Sequence, residues 1–133
     1  AVKVLRGKNV LLIVPDARRE VQQTSEVKIL GTSRRFADGS PTIAFESGCA
    51  TAWYTVVREG DHFVPVCEPG PCREPKESFK AFKICWWDFY ARQVEKLFTG
   101  DPRNITLWHF WPKLFGATSD ETDDTDEFAD DET

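Results

Sequence analysis

The last seventeen residues, Ala117 to Thr133, hold nine acids and no base, with Phe128 as their single large apolar group. Like charge that dense, with so little to bury, cannot offset the entropy lost on ordering. The sequence therefore divides into a domain over 1–116, which has to supply all of the fold, and an acidic flexible tail over 117–133.

Removing the tail also reverses the charge. The whole chain of 133 residues carries −5, but without those nine acids thirteen Asp and Glu face seventeen Lys and Arg, so 1–116 carries about +4. A cationic body with an anionic appendage can attract polyanions and also screen itself from them. One domain fits the length. Five Trp, two Tyr and ten Phe, all but Phe128 within 1–116, promise a core that needs no staples. The longest apolar run, Val10 to Val14, is too short for a membrane span, so no membrane role is expected. No signal peptide is visible, and intracellular placement is slightly favoured over secretion.

The first half reads as strands. Val10–Val14 is wholly apolar and closed by Pro15-Asp16, the pattern of a buried strand. Glu20–Leu30 alternates, with Val21, Val27 and Ile29 on one face. Arg34-Arg35-Phe36 leads into Asp38-Gly39-Ser40-Pro41, read as a turn. Thr42–Glu46, Thr51–Arg58 and His62–Cys67 are β-branched and aromatic, and Glu59-Gly60-Asp61 joins the last two as a hairpin. Phe79, Phe82, Trp86, Phe89 or Tyr90, Gln93 or Val94, and Leu97 then recur at three and four residue steps. They predict a helix from about Pro75 to Phe98, stopped by Thr99-Gly100-Asp101-Pro102. Ile105–Trp111 is either a last buried strand or an exposed aromatic platform. The expected class is α+β: a small antiparallel sheet or OB-like barrel of five to six strands, one long amphipathic helix after it, and the tail.

Four cysteines, Cys49, Cys67, Cys72 and Cys85, leave three readings open: two disulfides, buried unlinked thiols, or a zinc site. Zinc is the weakest, because only Cys67 and Cys72 are closely spaced. The other chemistry is sparse. His62 and His109 are the only histidines, and no nucleophile elbow, P-loop or dinucleotide fingerprint is present, so no enzyme and no cofactor are expected. Asn104-Ile105-Thr106 is a formal glycosylation sequon that matters only in a secreted protein.

Binding is the better-supported class. Arg34, Arg35, Phe36, Trp53, Tyr54, Arg58 and Phe63 lie on or beside the expected strands. Cations beside aromatic faces are what single-stranded nucleic acid needs, because bases stack on rings without sequence preference. The bland alternative is that strand aromatics are core. In the tail, Phe128 amid Asp126, Glu127, Asp130 and Asp131 makes an acidic segment with one apolar anchor, suited to a basic protein surface or to the chain's own basic face. In layout only, it resembles the acidic tails of single-stranded-DNA-binding proteins, although five residues follow Phe128 here. The expected function is single-stranded nucleic-acid binding, with the tail competing for the basic face or recruiting partners. The alternative is a secreted or viral protein, stabilised by disulfides, that binds a basic host protein. A charge-mimic inhibitor acting through the tail ranks third.

Overall fold

Two Gly-containing loops of two residues set the architecture of the computed structural model, which describes residues 1–7, 9–14 and 23–101. Leu30-Gly31 closes β1 (Thr24–Ile29) on β2 (Thr32–Ala37), with φ of 49° and 82° at its two positions. Positive φ at both central residues is the type I′ geometry, whose twist matches that of paired strands. Gly60-Asp61 closes β3 (Ala52–Glu59) on β4 (His62–Pro69), with Gly60 at φ 60°. Each antiparallel pair is a separate two-stranded sheet.

The class is α+β as expected, but the described residues hold four strands, not five or six, and they form neither a single sheet nor an OB-like barrel. Two expected strands are absent, one strand that was not foreseen, β2, is present, and the 105–111 run lies outside the described residues. Val10–Val14 is not a strand and not buried: Val10 is 95% exposed and Leu12 77%. Thr42–Glu46 lies inside a helix, α2 (Gly39–Ser47). Its flanking Gly and Pro are helix punctuation, not a turn. Asp38 is the N-cap, and Pro41 falls in the first turn, where no intrahelical bond requires its missing N–H. Gly48, at φ 61°, ends the helix in the left-handed region and donates its N–H to Ala44 O at 3.0 Å. A short helix, α1 (Val2–Arg6), rests on α2.

The long helix α3 spans Phe79–Thr99. Ser78 starts it by accepting the Ala81 N–H at 3.2 Å, so Pro75 stands outside it, and Gly100 donates to Lys96 O at its end. One face of α3 packs on the first hairpin. Val27, Ile29 and Phe36 meet Trp87, Tyr90, Ala91 and Val94 in the buried core, with Trp53, Trp86 and Phe98 packed at its edge. Phe36 sits 5.3 Å from the Trp87 ring and 5.4 Å from Tyr90. Nearer the start of α3, Phe45 of α2 fits between Phe79 and Phe82 at 5.3 and 5.5 Å.

The second hairpin is attached to α3 at its base. Trp53 lies edge-on to Tyr90 at 5.7 Å. Directly across the ladder, Glu68 accepts from Gln93 Nε2 at 2.9 Å and from Lys96 Nζ at 3.1 Å. Behind this pair, Thr51 Oγ1 donates to Pro71 O and Gly70 N–H donates to Thr51 O. A Cβ on Gly70 would stand 2.6 Å from Thr51 Oγ1, so the closure requires glycine. Beyond the base the two strands run on to the Gly60-Asp61 loop as an arm.

Candidate functional site

Period-two alternation decides which side chains the arm displays. Trp53, Thr55 and Val57 face one way, with Val64, Val66 and Glu68 opposite them, and this side is half-buried. Ala52, Tyr54, Val56 and Arg58 face the other way, paired with Pro69, Cys67, Pro65 and Phe63. That outer face is open. Phe63 is 76% exposed, Tyr54 58% and Val56 44%.

At the tip, Arg58 stands directly across from Phe63. Its Nε donates to Gly60 O at 2.8 Å, and Nη2 lies 3.7 Å from the Asp61 carboxylate. The guanidinium is thereby fixed over the turn beside an exposed ring. Tyr54 lies four residues back along the strand, roughly 13 Å away at about 3.3 Å per residue. Val56 and Pro65 fill the gap, so the face is an apolar strip with a ring near each end and one cation at the tip.

Three of the seven residues expected to bind nucleic acid, Tyr54, Arg58 and Phe63, therefore share one face. The other four do not join them. Phe36 is buried in the core, and Trp53, on the opposite side of β3 from Tyr54, is half-buried against Tyr90. Arg34 and Arg35 belong to the first hairpin, where Arg34 pairs across from Val27 and Arg35 from Glu26. Arg34-Arg35-Phe36 is strand, not the approach to a turn. Val56 and Pro65 were not foreseen as part of the site, and only the alternation of 53–58 would have revealed Val56.

Charge is even across the described residues, which hold twelve Lys and Arg and eleven Asp and Glu. Most of the excess that the sequence assigns to 1–116 lies at positions 8, 15–22 and 102–116, so the described residues alone form no broad cationic field around the arm. An open cleft of ≈ 280 Å³ between β1 and α3 is lined by Lys28 and Lys83 but equally by Glu26 and Asp88. Lys83 is committed to Asp38 at 2.9 Å, so the cleft has no anion-binding character.

None of the four cysteines is buried. Cys67 (on the outer face, across from Tyr54), Cys72 and Cys85 are exposed, Cys49 is half-buried, and none is disulfide-bonded. Among the described residues no group of His, Cys, Asp and Glu is placed to hold a metal ion, and no helix is long and apolar enough to cross a membrane. His62 is exposed at the start of β4. His109, Asn104, the 105–111 run, and Asp126, Glu127, Phe128, Asp130 and Asp131 of the tail lie outside the described residues. Compared with protein-family models, curated proteins and solved structures, the chain matches none.

Proposed function

We propose that the chain is a non-enzymatic binding module that stacks bases of a single-stranded nucleic acid on the outer face of the β3–β4 arm. The observation that supports this reading is the strip itself: Tyr54 and Phe63 exposed on one side of the hairpin, with Arg58 held beside Phe63. Each ring takes a base by stacking, and Arg58 supplies a cation for the adjoining phosphate or a planar surface for a base. A narrow strip contacts few phosphates, so affinity is modest and falls gently with salt. The acidic tail, with Phe128 among its carboxylates, competes for the same cation and ring.

The test is fluorescence anisotropy of a labelled oligothymidylate against the full chain across a salt series. Tyr54→Ala and Phe63→Ala each weaken binding by about 1–3 kcal/mol. Converting Asp126, Glu127, Asp130 and Asp131 together to their amides tightens it. Absence of binding at low salt, or indifference to both ring substitutions, overturns the reading.

A further inference from the structure

Two of the four free thiols stand on the segments that lead into and out of the arm. The ladder starts on β3 and ends on β4 at the Ala52–Pro69 pair. Cys49 lies three residues before Ala52, and Cys72 three residues after Pro69. A ladder carried on in the same register therefore sets the two cysteines opposite each other. On that register both fall on one side of the hairpin, Cys49 in step with Trp53 and Cys72 in step with Glu68.

The two segments do stay together beyond Pro69. Gly70 N–H donates to Thr51 O at 2.9 Å, and Thr51 Oγ1 donates to Pro71 O at 2.6 Å. On the far side of the cysteines, Arg73 Nη1 donates to Phe45 O at 3.3 Å, and its guanidinium lies 4.1 Å from the Phe45 ring. Phe45 belongs to α2, which Gly48 ends one residue before Cys49. Contacts on both flanks of Cys72 thus reach both flanks of Cys49. Opposed residues of an antiparallel pair have Cα atoms roughly 4.5–5.5 Å apart, within the span that a disulfide bridges. Cys67, the nearer neighbour of Cys72 in sequence, is placed differently. It lies on the outer face across from Tyr54. The chain continues as strand to Pro69 and then alongside Thr51, so it runs on towards Cys72 and does not fold back.

We infer that Cys49 and Cys72 form a disulfide that locks the base of the arm, made by exchange with a small-molecule disulfide such as oxidised glutathione. Cys72, the more exposed of the two, attacks first as its thiolate. A mixed disulfide forms, and one glutathione leaves as a thiolate. The Cys49 thiolate then attacks the Cys72 sulfur, which completes the protein disulfide and expels the second glutathione. The two protein thiols lose two protons and two electrons, and the reagent takes up both and departs as two thiols. The bond closes residues 49–72, all of β3 and β4 included, into a loop. Such a link lowers the entropy of the opened arm, so the arm opens less often. It adds to the contacts that Glu68 and Trp53 make with α3, and it stands whether or not the strip binds nucleic acid.

Incubating the full chain with oxidised glutathione tests this. In the unmodified chain, tandem mass spectrometry of the unreduced digest finds Cys49 joined to Cys72. In a Cys67→Ser, Cys85→Ser chain, where no other thiol competes, the intact mass falls by about 2 Da and no glutathione is retained. Adding Cys49→Ser or Cys72→Ser stops closure and leaves glutathione on the thiol that remains. None of the four side chains is buried, so the serines leave the fold intact. Closure slows hydrogen exchange in β3 and β4 on the order of a hundredfold, and reduction reverses the effect. A double-serine chain that keeps glutathione without closing, or whose bond joins two chains, overturns the inference. So does an unmodified chain that links Cys49 or Cys72 to Cys67 or Cys85 instead. Closure that fails to slow exchange in the arm also overturns it, because the two sulfurs would then meet only when the base is pulled out of register.

Discussion

Trp87 of α3 donates its indole N–H to Asp38 Oδ1 at 3.1 Å, joining residues 49 positions apart. The other oxygen of Asp38 takes Lys83 Nζ at 2.9 Å. Its backbone N–H donates to Gln23 O, while its carbonyl accepts both the N–H and the hydroxyl of Thr42. One residue thus ends β2, caps α2 and secures α3, with 4% of its surface exposed. The first hairpin and the two helices meet at this side chain, so the packing around Phe36 depends on it.

Replacing Asp38 by Ala strands the indole N–H and leaves Lys83 without its partner. The expected loss is about 3 kcal/mol, at the low end for a broken buried pair because Lys83 keeps some access to water. Urea unfolding monitored by far-ultraviolet circular dichroism measures it.

The same carboxylate makes stability depend on acid. Burial works to raise the Asp38 pKa, but hydrogen bonds from Ser25, Lys83 and Trp87 and the Lys83 charge together hold it below the ordinary value. A folded pKa below the unfolded one gives stability that is complete above the unfolded value, about 3.9, and is lost as pH falls through the folded value. Asp38→Asn removes this contribution at neutral pH. Its urea midpoint is expected to change less than that of the unmodified chain between pH 5 and pH 2.

Glu68 carries the corresponding role for the arm. Hydrogen bonds from Gln93 and then Lys96 lower its pKa. With Trp53 across the ladder, it is what attaches the base of the hairpin to α3. Glu68→Ala is expected to speed hydrogen exchange throughout β3 and β4 while leaving the Val27, Ile29 and Trp87 amides protected. Trp53→Ala also speeds exchange in β3 and β4 but, because it removes a ring from the edge of the core, lowers global stability by about 2–3 kcal/mol and with it the protection of the core amides. Equal loss of protection in both hairpins on Glu68→Ala would show instead that the arm and the core unfold together.

These dependencies were legible in the sequence only where they are local. Thr51–Arg58 and His62–Cys67 alternate around Glu59-Gly60-Asp61, and the hairpin follows from those residues alone. The Phe82–Tyr90–Val94 stripe likewise announces α3. Thr42–Glu46 misled because Thr42, Ile43 and Phe45, β-branched or aromatic, outweighed Gly39, Pro41 and Gly48, whose places at a helix start and stop make sense only once Asp38 is seen engaged with α3. Val10–Val14 misled in another way: an apolar run favours burial, but the run by itself does not specify a neighbour to cover it, and Val10 and Leu12 stand exposed. The candidate face was half legible because Trp53 and Tyr54 are neighbours in sequence and point to opposite sides. No composition argument separates them, whereas strand parity does.

Ser40 is buried at 5% exposure in the first turn of α2, and its hydroxyl finds no hydrogen-bond partner among the described residues. An unpaired buried hydroxyl keeps its desolvation cost with no return. Ser40→Ala is expected to raise stability by about 1 kcal/mol, seen as a thermal midpoint higher by about 3–5 °C. A destabilised Ser40→Ala chain would mean that the hydroxyl has a partner after all.

The turn of the first hairpin offers the last test. Leu30 holds φ 49°, a conformation that crowds the Cβ of an L-residue, and its side chain is 43% exposed, so little burial compensates. What keeps it there is the backbone: its N–H donates to Glu95 Oε1 at 2.9 Å, fastening the turn to α3. Leu30→Asn keeps that N–H, relieves the crowding and makes the Asn-Gly pair that type I′ turns favour. The expected gain is about 1 kcal/mol, read from the urea midpoint. Glu95→Gln retains an acceptor and costs little, while Glu95→Ala releases the turn. In a Leu30→Asn background Glu95→Ala costs less than in the unmodified chain, because a relaxed turn needs less holding. If the two changes are strictly additive, the contact from Glu95 is not what maintains the left-handed Leu30.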